Sequence, residues 1–512
     1  MPLLKRVSSH PRQAFHDFTT SVGLKYVRLG YHMLITHFFI LALVYGMVLG
    51  VMEVAVYQRV DMQRLWDTAA QTHLTLNLLS AILSTAMLVL AAAVYFFTRE
   101  KPVYLVDFHC YKPPDSWKMP WSTFWSQTKS IETFKPESIE FQERVATRAG
   151  LGDDTYLPPG IKQSPPETTM QKAREEAEVV MFEAVQRCLE KANVKPREVG
   201  ILIVNCSLFC PTPSLTAMIV NHFKMRSNIQ TYNLSGMGCS AGVISIDLAK
   251  DLLQVHPGTY ALVVSTENIT QNWYFGNDRS MLIPNTLFRV GGAAILLSNK
   301  RTDWWRAKYR LVTTVRTHAG AEDEKYSCIF QQEDAEGQMG VKLAKSVVAT
   351  GGEVLKKNIT TLGPMVLPLS EQIIFFVNLI LRKLLGKKRV RQYVPNFKMA
   401  FEHFCIHTGG RGVIDQMAIN LNLNKYDMEP SRETLWRYGN ISSSSVWYEM
   451  AYMETDKRIR KGDRVWQIAF GSGFKVNSAV WKAMRRGSQH TVWEREIRED
   501  QVYPWESNSN DS

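Results

Sequence analysis

Cysteine is scarce in this chain, with seven residues among 512. So few cysteines, and an odd number of them, do not make a disulfide framework, so a reducing compartment is predicted. Charged residues are also sparse at 21%, whereas 45% of residues are hydrophobic, and this balance excludes a disordered or collagen-like chain. The mean hydropathy is too low for a protein that lies mostly within a membrane. What remains is a globular protein of roughly two to four domains, or one large catalytic unit with appendages.

Positive charge is the one excess, with 60 Lys and Arg against 48 Asp and Glu and a net charge of +12. Nucleic acid, an anionic membrane surface and an anionic substrate all suit such a charge. The sequence carries no nucleic-acid-binding motif, so a nucleic-acid partner is not expected. Cys206 and Cys210 have a metal-like spacing, but a single pair in an apolar strand favours packing, and no metal is predicted.

Two long runs without Asp, Glu, Lys or Arg stand near the N-terminus, at residues 31–52 and 68–98. Each is long enough to cross a hydrocarbon core at about 1.5 Å per residue, which predicts a two-helix transmembrane hairpin. Basic residues precede the first run and follow the second, so both termini are expected in the cytosol. A signal peptide is excluded because the first run begins too late and is too long. A pair of buried core helices is the alternative.

The rest of the chain is typical of an α/β protein. Nine of the 21 prolines lie within 99–166, which predicts an irregular connecting segment. Apolar strands then alternate with helices, in two stretches of similar layout. Strands are predicted at 200–209, 230–234, 260–265, 292–298, 401–407 and 465–470. Two helices are predicted to begin at 167 and after 213, and two more are predicted over 413–421 and 477–484.

The segment 362–400 interrupts the two stretches. It contains the apolar run 373–381 followed by a cluster of basic residues. Such a helix could lie on an anionic membrane surface, or it could be a core helix with a solvated basic end. The chain is thus divided into a basic tail (1–30), the hairpin (31–98), a proline-rich connection (99–166), an N-terminal half (167–361), this insertion (362–400), a C-terminal half (401–490) and a polar tail (491–512).

The strongest chemical signal is Cys239, within the sequence NLSGMGCSAG. A strand leads into a glycine-rich turn, and a helix of small residues follows. A cysteine at a helix N-terminus has its thiolate stabilised by unpaired N–H groups and the helix dipole, which suits a nucleophile. The alternative, an inert packing cysteine, is disfavoured by the glycines before it and the small residues after it.

Three further positions are candidates for the same chemistry. His407 ends a strand before Gly-Gly, and His403 lies on the same strand face by the period of two. Asn440 opens a run of serines, although an N-cap would explain that run equally well. The loop Gly471-Ser-Gly473 could bring backbone N–H groups to a ligand, or it could be an ordinary turn.

In their order along the chain these motifs resemble the decarboxylating condensing enzymes of the thiolase fold. The closer resemblance is to the membrane-bound 3-ketoacyl-CoA synthases of plants and algae, which elongate very-long-chain fatty acids. It extends over roughly residues 30–490 and includes the segments 105–114, 150–157, 205–209, 272–279 and 436–447. The resemblance implies a layered αβαβα fold built from two similar halves, and it implies a homodimer.

The resemblance also implies a reaction and the residues that perform it. Cys239 would carry the acyl chain, and malonyl-CoA would lose CO₂ and attack it, giving a 3-oxoacyl-CoA two carbons longer. His407 and Asn440 would stabilise the enolate, His407 would also activate the thiol, and Gly471 and Gly473 would line an oxyanion hole. Long-chain acyl-CoA and malonyl-CoA are the expected substrates, without a cofactor. The expected location is the endoplasmic reticulum membrane, with the catalytic domain in the cytosol beside an elongase reductase and dehydratase.

Alternatives differ in features that can be read from the chain. A chalcone-synthase-like polyketide synthase, or a condensing enzyme that uses an acyl carrier protein, should lack the N-terminal hairpin. A degradative thiolase should have a second cysteine near its last glycine loop, and Gly471-Ser-Gly473 has none. A non-catalytic membrane scaffold of the same fold should lack one of the three catalytic side chains, all of which are present.

Overall fold

The structure is a computed structural model that describes residues 100–487, except 387–388, 391–392 and 394, together with 491–494 and the isolated residues Ala86 and Val89. The predicted basic tail, the hairpin apart from those two residues, and most of the polar tail lie outside the described residues. No helix within the described ranges is long and apolar enough to cross a bilayer. The larger of two compact units holds 101–365 and the chain from 400 onward, and the smaller holds 366–399.

Nine strands of the larger unit form one mixed sheet, in the order β3-β2-β4-β5-β1-β6-β11-β10-β9, and β7 and β8 form a separate hairpin. The strands are β1 (Tyr104–Cys110), β2 (Val199–Asn205), β3 (Gln230–Leu234), β4 (Tyr260–Thr266), β5 (Gly292–Ser298), β6 (Tyr309–His318), β7 (Ile329–Glu333), β8 (Met339–Leu343), β9 (His403–Ile406), β10 (Arg464–Gly471) and β11 (Lys475–Ala483).

The sheet consists of two halves with the same pattern. In the first, β2 and β4 are parallel, and β5 and β1 follow in antiparallel order. In the second, β9 and β10 are parallel, and β11 and β6 follow in antiparallel order. Strands β1 and β6 pair antiparallel and join the halves. The predicted α/β class is therefore confirmed. The repeat does not follow the predicted stretches, since its second half includes β6, which lies within 167–361.

The described residues form thirteen helices. They are α1 (Trp121–Ser130), α2 (Pro136–Ala149), α3 (Pro159–Lys162), α4 (Met170–Ala192), α5 (Leu215–Phe223), α6 (Ala241–Val255), α7 (Arg279–Leu287), α8 (Asp323–Tyr326), α9 (Val347–Val366), α10 (Leu369–Leu385), α11 (Arg411–Leu421), α12 (Lys425–Tyr438) and α13 (Ser445–Thr455).

Two largely buried helices, α6 and α13, begin just after Cys239 and just after the serine run that follows Asn440. Helix α6 packs on β2 and β4 of the first half and on β10 and β11 of the second. Helix α13 packs on β9, β10 and β1, and nearly all of its residues are buried. Because strands β4 and β5 are buried along their whole length, the core lies on both faces of the sheet.

Two predictions of local structure are wrong. The proline-rich segment 99–166 is not irregular, since it contains the sheet strand β1 and the helices α1, α2 and α3. Pro120, Pro136 and Pro159 stand at the starts of these helices, where a missing N–H is harmless. Residues 477–484 form no helix, since 475–483 are strand β11, hydrogen-bonded to β10 and β6 on either side.

Candidate active site

Cys239 lies in the 3₁₀ turn Gly238–Ser240, between the end of β3 and the start of α6. This confirms the predicted strand–turn–helix arrangement. Gly236 and Gly238 both have φ of +67°, a left-handed conformation that residues with a Cβ adopt at a cost. The glycines therefore set the path of the turn, and they leave the thiol partly buried at the head of the helix.

The glycine loop after β10 packs directly on the cysteine turn. A Cβ on Gly238 would collide with the backbone N of Ser472, and a Cβ on Gly471 would collide with the side chain of Ser240. The two backbones can approach so closely only because both residues lack a side chain. The loop predicted to present N–H groups to a ligand therefore lies beside the turn that contains Cys239.

Asn440 is buried, at 3% exposure, and it follows Gly439 at the end of α12. Its Oδ1 accepts a hydrogen bond of 2.9 Å from the Ser442 N–H. Its own backbone N–H donates to Leu287 O over 3.0 Å. With the oxygen occupied in this way, the amide NH₂ is the end of the side chain that can bind a ligand.

His407 follows β9 and is also buried, at 3% exposure. Its Nδ1 lies 2.7 Å from Ser445 Oγ, and that hydroxyl donates to Ser442 O over 3.1 Å. Because the hydroxyl hydrogen points to a carbonyl, we assign the ring proton to Nδ1, so that Nε2 carries a lone pair. Burial lowers the pKa of His407 to about 4, so the ring is neutral near pH 7.

The thiol of Cys239 is also neutral. Burial raises its pKa to about 12, the Glu267 carboxylate adds to the rise, and the Ser442 hydroxyl offsets part of it. The expectation of a thiolate stabilised by the helix N-terminus is therefore wrong for the resting enzyme. The helix does begin at this point, but the loss of hydration outweighs the hydrogen bonds that favour the thiolate.

Glu267 and the serine run were not recognised from the sequence as parts of the site. Glu267 is 5% exposed, accepts hydrogen bonds of 3.0 Å from Ser442 Oγ and the Leu208 N–H, and has a pKa raised by burial. The only sequence signal was the row of hydroxyl residues after Asn440, which an N-cap explained equally well.

The serine run fastens the second half of the sheet to the first. Ser443 Oγ donates to Asn205 Oδ1 over 2.7 Å, at the end of β2. Ser444 Oγ donates to Ser265 O over 2.9 Å, within β4. These bonds hold the 3₁₀ turn Ser442–Ser444 against the cysteine turn, which it contacts.

Ser442 links the predicted residues into one site. Its side chain neighbours Cys239, its N–H holds the amide of Asn440, and its carbonyl holds the serine that bonds to His407. The structure thus brings together Cys239, His407, Asn440 and the loop of Gly471 and Gly473.

His403 does not belong to this group. Its Nε2 lies 2.9 Å from Asp463 Oδ2, at the start of β9. Four residues of extended chain place it roughly 13 Å along the strand from His407, at about 3.3 Å per residue. Distance along the strand therefore separates the two histidines.

A cavity of about 390 Å³ lies near His407, although Cys239, His407 and Asn440 are not among its lining residues. It is lined by α2 and by the segment that follows His407, including Gly409, whose Cβ position lies 3.5 Å from His407 Nε2. Three exposed arginines, Arg144, Arg148 and Arg411, are among its lining residues. The cavity therefore has a basic rim near His407, in which Arg144 pairs with Glu140 and Arg411 pairs with Asp415.

Comparison with known proteins shows what the chain and its fold resemble. Residues 95–384 match the model of the FAE1/type III polyketide synthase-like proteins, and residues 354–485 match the C-terminal domain of chalcone and stilbene synthases. Among solved structures, the type III polyketide synthase domain of Steely1 from Dictyostelium superposes with a TM-score of 0.60 at 16% identity, over 75% of this chain and 99% of that one. The tetrahydroxynaphthalene synthase of Streptomyces coelicolor gives 0.58 at 19% identity, over 74% and 99%. At such identities these structures establish the thiolase-like fold alone.

Sequence relatives are much more similar. The chain is 56% identical to 3-ketoacyl-CoA synthase 4 of Arabidopsis thaliana over 93% of its own length and 92% of the relative. It is 54% identical to 3-ketoacyl-CoA synthase 9 of the same plant, over 96% and 95%. With half or more of its residues shared along nearly the whole of both chains, the chain belongs to the 3-ketoacyl-CoA synthase family.

Proposed function

We propose that this chain is the condensing enzyme of fatty acid elongation, which joins malonyl-CoA to a long-chain acyl-CoA with loss of CO₂. The observation that carries the proposal is the convergence on Ser442 of a thiol, a neutral imidazole and an amide donor. Its family membership, shared with relatives named 3-ketoacyl-CoA synthases, supports the same reaction.

In the first stage, Cys239 attacks the thioester carbonyl of acyl-CoA. The His407 Nε2 lone pair accepts the thiol proton as the C–S bond forms, since a thiol with a pKa of about 12 does not ionise alone at neutral pH. The tetrahedral intermediate collapses, the bond to the CoA sulfur breaks, and the proton passes to the departing CoA. The acyl chain remains as a thioester on Cys239.

In the second stage, malonyl-CoA loses its carboxylate as CO₂, and the electrons of the broken C–C bond form an enolate. The Asn440 NH₂ group donates to the enolate oxygen without losing a proton. His407 can donate from Nε2 in its other neutral tautomer, which forms when the ring releases its Nδ1 proton to solvent and takes one up at Nε2; the Ser445 hydroxyl then donates to Nδ1. Buried donors of this kind are worth more than the same donors in water.

The enolate carbon then attacks the acyl thioester carbonyl, and the C–S bond to Cys239 breaks. The departing thiolate takes up one proton from solvent, which is the proton that the overall reaction consumes. The product is a 3-oxoacyl-CoA longer by two carbons. Backbone N–H groups of Cys239 and of the loop Gly471–Gly473 are suited to hold the oxyanion of this step, since the loop packs on the cysteine turn.

The cationic cavity gives the CoA substrates a place to bind. CoA carries several phosphate charges, and Arg144, Arg148 and Arg411 are among the residues that line the cavity near His407. Guanidinium groups bind phosphate with paired donors, so they suit this task. The net charge of +12 points to the same anionic partners.

The enzyme is proposed to act as a homodimer in the endoplasmic reticulum membrane, anchored by residues 31–98, with its body in the cytosol. The basic flanks of the uncharged runs support this orientation. The product's keto group must be reduced and the resulting alcohol dehydrated before another round, which supports a reductase and a dehydratase as partners.

The proposed topology can be tested by glycosylation. Asn268 and Asn358 each begin an Asn-Ile-Thr sequon, but they are poor reporters, since both asparagines are buried and hydrogen-bonded. A sequon tag appended to the C-terminus avoids this problem, and its glycosylation would contradict a cytosolic terminus.

The experiment for the reaction itself uses microsomes that contain the full chain. Long-chain acyl-CoAs from about C16 to C26 are supplied with radiolabelled malonyl-CoA, and single-extension 3-oxoacyl-CoA is expected. Cys239→Ala should abolish the product, whereas Cys210→Ala, at an exposed cysteine, should not. Full activity of Cys239→Ala would contradict the mechanism. Products of repeated extension would indicate a polyketide synthase, and no turnover by the unmodified chain would indicate a scaffold.

A further inference from the structure

Helix α10 of the smaller unit directs its apolar side chains outward. Nineteen large hydrophobic side chains are exposed among the described residues, and nine of them lie on this one helix. They are Ile373, Ile374, Phe376, Val377, Leu379, Ile380, Leu381, Leu384 and Leu385, each exposed by at least 40%. Soluble proteins seldom expose a contiguous apolar patch of this kind unless something binds to it.

The polar side of the same helix faces inward. Glu371 is only 6% exposed, and its carboxylate accepts hydrogen bonds from Tyr393 OH over 2.7 Å and from the Asn396 N–H over 3.0 Å. Asn378 Oδ1 accepts from the Tyr393 N–H over 3.0 Å. The returning chain thus satisfies the polar edge of the helix. This polarity is the reverse of an amphipathic helix on a soluble protein, which buries its apolar face.

The width of the apolar face indicates what covers it. At 100° per residue, the nine exposed positions extend over an arc of roughly 240°. A single neighbouring helix covers a narrow seam and would leave much of this arc in water. The acyl region of a bilayer covers a broad face without needing complementary shape.

Charge and length agree with a helix that lies along the surface. The C-terminal end carries Arg382 and Lys383, and Arg389 follows, whereas the single acidic residue of the helix is the buried Glu371. Seventeen residues extend only about 25 Å, and the charges at one end disfavour a full crossing. We propose that α10 lies in the plane of the membrane, with its apolar arc in the acyl boundary and its basic end among anionic phospholipid headgroups.

The test places a photo-crosslinker in the full-length protein. Phe376→p-benzoylphenylalanine puts it at a side chain that is 62% exposed, and Ile419→p-benzoylphenylalanine on α11 is the control, at 73% exposure. Both proteins are reconstituted in vesicles of radiolabelled phosphatidylcholine and phosphatidylserine and irradiated. Leu384→p-benzoylphenylalanine, at 74% exposure, is a second probe if the first disturbs folding.

We expect several-fold more lipid attached at position 376 than at position 419, with condensing activity retained by both variants. Equal lipid labelling would overturn the proposal, as would crosslinks from 376 mainly to residues 1–99 or to a second copy of the chain. Replacing Arg382, Lys383 and Arg389 with Gln should reduce labelling of phosphatidylserine but not of phosphatidylcholine. An unchanged ratio of the two lipids would overturn the headgroup contact. Because activity is measured separately, failure of the membrane contact is distinguishable from failure of the catalytic proposal.

Discussion

Cys239 should react slowly with alkylating agents at neutral pH, although it is the proposed nucleophile. Burial raises the pKa of its thiol to about 12. At pH 7 the thiolate fraction is then on the order of 10⁻⁵, against about 3% for a free cysteine of pKa ~8.5. Iodoacetamide should therefore modify Cys239 roughly a thousandfold more slowly than it modifies glutathione. Because the pKa is raised, the rate should climb about tenfold per pH unit from pH 6 to 9, without a plateau.

The assay is a pH series of short iodoacetamide pulses, with the peptide that contains Cys239 quantified by mass spectrometry and glutathione as the internal reference thiol. Cys239→Ala identifies the labelled peptide. His407→Ala should leave the profile unchanged, since a neutral imidazole does not stabilise a resting thiolate. A fast, pH-independent rate below pH 7 that is lost in His407→Ala would show a thiolate–imidazolium pair and refute the reasoning.

Three further outcomes are expected. Gly238→Ala should lower condensing activity at least a hundredfold, because the new Cβ collides with the glycine loop. Gly236 has the same φ of +67° but open space around its Cβ position, so Gly236→Ala carries only a backbone strain of about 1 kcal/mol and should stay active. Ser445→Ala removes a buried hydrogen bond worth about 1–3 kcal/mol, so kcat should fall by roughly ten- to a hundredfold with little change in KM. The pH–rate profile should also change, and an unchanged profile would indicate a purely structural serine. Arg148→Gln should raise the KM for CoA substrates by a few-fold, equivalent to about 1 kcal/mol, and should make the KM less dependent on salt. Arg187→Gln, at an exposed arginine on α4, should change neither the KM nor its salt dependence.

Local sequence was sufficient where the physics is local. The glycines around Cys239 predicted a sharp turn into a helix, because positive φ and close approach are properties of the residues themselves. The fully apolar strands β4 and β5 could be read for a similar reason, since burial on both faces leaves a continuous hydrophobic run.

Residues 475–483 show where local sequence was insufficient. Their mixture of Val, Ala, Ser and Trp suits a helix or a strand, and pairing with β10 and β6 on both sides decides for the strand. The prolines of 99–166 gave a similar ambiguity, since a proline that starts a helix and one that breaks it are the same residue.

The sequence by itself determined the family, the α/β class and the three side chains proposed to carry the reaction, because each belongs to a local motif. Only the tertiary structure decided their chemical states. The helix dipole that favours a Cys239 thiolate is local, but the burial that opposes it comes from the whole fold. The tautomer of His407 depends on Ser445, 38 residues away. The same holds for α10, whose sequence shows an apolar run but not which side of the helix faces outward. Protonation and orientation depend on neighbours that are distant along the chain, and only the fold brings them together.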